Sequence, residues 1–153
     1  MSARACIRPQ YLSPGWCPKL RKLVAHSADM CNIFGDPTMV RHKMDVLERH
    51  CEAVGRDPGT IVKTRLGSLI IRKTDAEAQR LFQQLLNRPG INRDWARAGF
   101  IVGGPDRVAE QARTFLDAGL DGLIFNMPHM EDPEAIALAG ETLARLRQPA
   151  AAR

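Results

Sequence analysis

Apolar positions along this chain switch repeatedly between helical and strand spacing. Leu20, Leu23 and Val24 recur at helical intervals and predict a helix over about residues 19–27 with those three side chains facing inward. The run Ala28 to Phe34 is short, apolar and closed by Gly35, as expected of a buried strand. Asp36 and Pro37 then form a helix start, because a side-chain oxygen can cap free N–H groups and proline lacks only an N–H that would stay unpaired there. Val40, Met44, Leu47, Cys51 and Val54 draw one apolar stripe along the helix that follows, and Gly55 supplies a left-handed C-terminal cap.

The alternation continues to the end of the chain. Ile61 to Arg72 predicts the next strand, and Thr74-Asp75 leads into a helix ending near Asn87 that carries Ala78, Leu81, Phe82, Leu85 and Leu86. From Arg88 to Gly99 the chain predicts a loop with a short helical turn around Trp95, the kind of long connection that often lies near a site. Phe100 to Val102 is a short strand before Gly103-Gly104-Pro105-Asp106, and the helix from Asp106 to Ala118 places Val108, Ala112, Phe115 and Leu116 inward. Leu120 to Asn126 is a further strand, and Asp132-Pro133 opens a last helix with Ile136, Ala139, Leu143 and Leu146.

Two segments echo one another: ADMCNIF-GDP and LDGLIFN-MPHMEDP each hold an acidic entry, an apolar strand, an asparagine, a loop and a proline-started helix. Strands alternating with helices over short connections imply parallel strands and right-handed crossovers, hence the α/β class. A complete eight-unit barrel needs about 250 residues and rarely fewer than about 200. The 153 residues therefore predict a partial (β/α)8 barrel of about four parallel strands with flanking helices. The expected organisation is a poorly specified segment over 1–18, the barrel domain over 19–147 and a frayed tail over 148–153.

Composition narrows the function classes. With 44% hydrophobic and 25% charged residues the chain is expected to be globular rather than disordered. The net charge of +5 comes from dispersed bases, and with only 5% aromatic residues and no nucleic-acid motif, no nucleic-acid partner is expected. Cys6, Cys17, Cys31 and Cys51 form no C-x-x-C pair, so no metal site is expected. Without a long apolar run the chain is expected to be cytoplasmic, with no membrane partner.

In an α/β barrel, ligands lie at the carboxyl ends of the strands, which selects Ser13 to Gly15, Asn32 to Asp36, Gly103 to Asp106 and Asn126 to His129. Gly103 and Gly104 let backbone approach a ligand, and the helix starting at Pro105 directs N–H groups toward any anion, so a phosphate could rest there; the same turn is also an ordinary helix start. Asn32 and Asn126 occupy equivalent places in the echo and could offer amide contacts to a ring system, or else satisfy loop backbone. His129 sits on a strand-to-helix loop where its near-neutral pKa suits a substrate hydrogen bond or general acid, or simply solvent exposure. No Ser-His-Asp order, paired acids or H-E-x-x-H occurs, so the catalytic residues stay unassigned.

KLVAHSADMCNIFGDPTMVRHKMDVLERHCEAVGRDPGTI and GPDRVAEQARTFLDAGLDGLIFNMP together resemble the C-terminal half of the luciferase-like oxidoreductases, the likeness extending over about residues 19–146. The resemblance implies a (β/α)8 barrel that transfers hydride or activates oxygen with FMN or coenzyme F-420 at its mouth, acting on a small-molecule substrate. With such a cofactor, Gly15, Asn32, Gly103, Gly104 and Asn126 are the cofactor-binding candidates and His129 the substrate-contact candidate. Two departures follow from the residues. The family's N-terminal half has no counterpart here, and its Ile-Gly-Gly-x-Gly phosphate loop falls on Leu12-Ser13-Pro14-Gly15-Trp16, where only Gly15 survives and Pro14 has no N–H to offer. Half a parallel barrel also leaves strand edges and an inner face uncovered. The chain alone is therefore expected to be inactive and to work as a homo-oligomer or with a complementing barrel half; the alternative is a non-catalytic dimeric binding or scaffold module.

Overall fold

The computed structural model describes residues 18–147, so Gly15 and its neighbours Ser13 and Pro14, with Cys6 and Cys17, lie outside the described residues. Among the described residues four strands are interspersed with six α-helices: α1 (Pro18–Ser27), β1 (Met30–Ile33), α2 (Pro37–Ala53), β2 (Val62–Ile71), α3 (Asp75–Leu86), α4 (Arg93–Gly99), β3 (Phe100–Gly103), α5 (Pro105–Leu116), β4 (Gly122–Asn126) and α6 (Pro133–Ala144). Every strand pairing is parallel. The fold is thus α/β and a partial barrel, as the alternation predicts.

Local chemistry starts and stops the helices where the sequence places those signals. Asp36 accepts from Met39 N–H at 2.8 Å with Pro37 next to it, and Asp132 accepts from Glu134 and Ala135 N–H ahead of Pro133. Thr74 and Glu77 form a reciprocal capping box at the start of α3. Gly55 takes φ 68, the left-handed conformation that ends α2 without a Cβ clash.

The ten-residue β2 organises the sheet. At Thr64 and Arg65 it is in register with both β1 (Asn32, Ile33) and β4 (Gly122, Leu123), and at Ser68 with both β3 (Phe100) and β4 (Asn126). A strand has two edges, so β1 and β3 follow one another along one edge and β4 runs along the other. Asp121 docks β4: its carboxylate accepts from Lys63 N–H at 2.7 Å and pairs with Lys63 Nζ at 3.3 Å, and its own N–H donates to Lys63 O.

Side chains on the two faces meet different helices. Cys31, Ile33, Leu69, Ile71 and Ile101 bury against α2, α5 and α6 through Val40, Met44, Leu47, Cys51, Val108, Ala112, Phe115 and Ala139. Ile70 and Val102 bury on the opposite face against Ala78, Phe82 and Leu86 of α3 and Ala96 of α4. That second helix layer covers only the carboxyl-terminal half of β2. Over the other half, Met30, Val62 and Ile124 stay exposed on the same face, linked by the registers Met30 with Val62 and Leu66 with Ile124.

Three inward assignments need correction. Leu23 is 60% exposed, while Val24 and Ala25 of α1 turn inward; Val54 lies past the last turn of α2 and is exposed; Ile136 is exposed on α6, where Ala135, Ala139 and Thr142 are buried instead. In each case the apolar period carries on past the strip of helix that the core touches. Among the described residues no helix is long and apolar enough to cross a membrane, and no cluster of His, Cys, Asp or Glu could hold a metal ion.

Candidate functional site

The carboxyl ends of the strands bring together the β1–α2 turn, Arg72 to Thr74 after β2, Gly103 to Asp106 after β3, and the loop after β4. Backbone carbonyls of the first turn are held by cations: Lys43 Nζ donates to Phe34 O and Arg65 Nε to Gly35 O at 3.0 Å. Gly35 has φ 128, and a Cβ there would stand 2.8 Å from Met39 Sδ, so glycine is required where the chain turns from β1 into α2.

Acidic side chains neutralise the cations at the other strand ends. Arg72 pairs with Asp132 at 3.5 Å and Lys73 with Glu134 at 3.1 Å, strapping the end of β2 to the start of α6. The hydrogen bond that Lys73 donates to Glu134 raises the Lys73 pKa. Arg145 pairs with Asp106 at 3.4 Å.

Gly104 is the N-cap of α5 and has no side chain to cap with. Asp75 of α3 reaches the N–H of this N-cap residue: Oδ1 accepts from Gly104 N–H at 2.6 Å, and Oδ2 lies 3.9 Å from Arg107 Nη1. A Cβ on Gly103 would come within 2.9 Å of the Arg107 side chain. An open depression of about 600 Å³ lined by Asp75, Asp106, Arg107, Glu110, Gln111 and Thr114 adjoins this start. With three carboxylates on its walls, one of them Asp75 already on Gly104 N–H, the start of α5 is a poor seat for a phosphate as it stands.

The asparagines divide. Asn32 Oδ1 accepts from Leu66 N–H at 2.9 Å, at the level where β1 ends along the β2 edge, so its amide oxygen satisfies sheet backbone. Asn126, at the end of β4, is exposed on the uncovered face. His129 lies in the loop after β4, with Nδ1 3.5 Å from Glu131 Oε1.

Arg65 is the residue that apolar periodicity passes over. It is 1% exposed, and its guanidinium fills the gap between the end of β1 and the start of β3, donating to Gly35 O, to Gly99 O at 3.1 Å and to Ala98 O at 3.4 Å. The last two are end carbonyls of α4, where a cation also meets the negative end of the helix dipole. Its carbon lies 3.9 Å from the centroid of the Phe115 ring, and Nη1 is buried without a hydrogen-bond partner. Burial pulls its pKa down to about 10, opposed by the Asp36 carboxylate, which leaves it charged at neutral pH. The only signal in the sequence is a charged residue in mid-strand two positions before Gly67.

No protein-family model and no curated protein sequence matches the chain. Solved structures do. The coenzyme F-420-dependent tetrahydromethanopterin reductase of Methanopyrus kandleri superposes with a TM-score of 0.66 at 17% identity, over 86% of this chain and 49% of that one. The EDTA monooxygenase of Chelativorans sp. BNC1 superposes with a TM-score of 0.64 at 18% identity, over 88% and 46%. A long-chain alkane monooxygenase gives 0.66 at 18% identity, over 91% and 42%. At these identities the likeness is one of fold, and this chain spans less than half the length of each neighbour. The chain therefore has the fold of part of a luciferase-like (β/α) barrel.

Proposed function

We propose that this chain is the barrel portion of a luciferase-like oxidoreductase that uses coenzyme F-420 or a flavin, and that it takes up its cofactor only in an assembly that completes the barrel. The observation that carries this reading is the superposition on F-420-dependent and monooxygenase barrels over 86–91% of the chain. Such a cofactor, when bound, supplies hydride transfer or oxygen activation. Of the residues present, Asn126 and His129 stand at the carboxyl end of β4, where a barrel places ligand contacts. The Asp75 carboxylate on Gly104 N–H disfavours the start of α5 as the seat of the cofactor's phosphate.

A second reading, a non-catalytic module derived from the same fold, is favoured by the pairing of Arg72, Lys73, Arg107 and Arg145 with carboxylates at the strand ends. Titration of the chain with FMN and with F-420, followed by absorbance and fluorescence, separates the two. Saturable binding of either supports the oxidoreductase reading, and its absence under all assembly states of the chain sinks that reading in favour of the module.

A further inference from the structure

We infer that α3 and α4 form a hinged flap on the sheet face opposite α2, α5 and α6, pinned at both hinges and held between them by apolar contacts alone, so that it opens without the rest of the fold. That its opening governs ligand access rests on the proposed function, which puts the ligand at this end of the strands. The pins sit where the chain leaves and rejoins the sheet. At the first, Asp75 Oδ1 accepts from Gly104 N–H at 2.6 Å and Oδ2 faces Arg107. At the second, Arg65 donates to Ala98 O at 3.4 Å and to Gly99 O at 3.1 Å, and is itself fixed to the body by Gly35 O and the Phe115 ring.

Between the pins nothing polar crosses to the body. Among the described residues, the hydrogen bonds and ion pairs of residues 76–97 all stay within 74–100: Glu77 with Thr74, Arg93 with Leu86 O, Trp95 N–H with Asn92, Arg97 with Asp94, and Ala96 O with Phe100 N–H at the end of α4. What holds the flap down is Ile70 and Val102 against Ala78, Phe82, Leu86 and Ala96, with the Phe82 and Trp95 rings on Phe100 at centroid distances of 5.3 and 6.5 Å. Six buried residues form this cluster against seventeen in the one on the other face, so less apolar burial resists its opening. Such contact is non-directional, which lets the two helices swing as a body. Opening bares Ile70 and Val102, and the apolar face that Met30, Val62 and Ile124 leave uncovered then runs on to the carboxyl ends of β2 and β3.

Hydrogen exchange on the full chain, read by mass spectrometry, tests this without any cofactor. Amides of α3 and α4 are expected to exchange as one group, about tenfold or more faster than those of α2 and α5, and with a weaker dependence on urea. Exchange of all four helices at one rate overturns the flap. Access is read with Val102→Cys, which puts a thiol beneath α3, against native Cys31, buried on the other face. Alkylation by iodoacetamide is expected to be about tenfold faster at position 102, and equal rates overturn the inference. Should that substitution fail to fold, Phe82→Ala decides: it is expected to speed exchange in α3 and α4 and leave α2 and α5 unchanged, whereas uniform acceleration overturns the inference. Failure of the FMN and F-420 titrations removes the cofactor reading and leaves the flap standing, and uniform exchange removes the flap alone.

Discussion

The guanidinium of Arg65 lies 3.9 Å above the Phe115 ring, so a charge in the middle of β2 is packed into the apolar layer beneath α5. Its neighbour in the same row, Gly67, has no Cβ because Arg65 Nη1 stands where one would go. Removing the charged side chain leaves a cavity and the carbonyls of Gly35 and Gly99 without a donor, a loss of about 3–5 kcal/mol for Arg65→Ala. Gly67→Ala overpacks the same space at about 1–3 kcal/mol. Because the closest clash is with Arg65, the cost of Gly67→Ala should shrink in the Arg65→Ala background to what the remaining contact with Gly99 O, at 3.1 Å, imposes. Urea unfolding of both single variants and the double variant measures this coupling, and strictly additive costs would show that the two residues do not share the space.

Burial of Cys31 in the core raises its thiol pKa from 9.0 to about 11, an effect larger than the opposing pull of Lys63. In the unfolded chain this thiol ionises near 9, whereas in the folded chain it stays neutral until about 11. Its contribution to stability is therefore complete below pH 9 and disappears as pH rises toward 11, at most about 2–3 kcal/mol by linkage. Cys31→Ala should lose less stability than the parent between pH 9 and 11, as read by chemical unfolding at each pH. Parallel pH profiles for the two proteins would argue against a buried, neutral thiol.

Asp132 has two tasks, capping α6 through Glu134 and Ala135 N–H and pairing with Arg72 at 3.5 Å. The cap is the larger contribution, about 0.5–2 kcal/mol, since a partly exposed ion pair adds about 0–1 kcal/mol and is screened by salt. Asp132→Ala should lower the thermal midpoint, and most of the difference should persist in 1 M NaCl. If salt abolished it, the ion pair and not the cap would be holding the start of α6.

Much of the fold is legible because its causes are local. The α2 stripe of Val40, Met44, Leu47 and Cys51 is buried as its spacing predicts, and the Asp-Pro starts at Asp36 and Asp132 cap the helices expected of them. The short turn foreseen around Trp95 is α4. Candidate site residues were harder to interpret. Asn32 and Asn126 are equivalent in the echo, yet one amide is taken up by Leu66 N–H and the other faces outward. The two strands lie along opposite edges of β2, and a sequence repeat does not encode that difference.

By itself, the sequence determined the alternation of strands and helices, their caps and the α/β class, since hydrophobic period and capping act within a few residues of one another. Only the tertiary structure decided that β1 and β3 share one edge of β2, that Arg65 is buried in the gap between them, and that Asp75 takes the N–H of Gly104. Each of these joins groups some 30 residues apart in the chain. Their partners are chosen by packing, which local spacing does not carry.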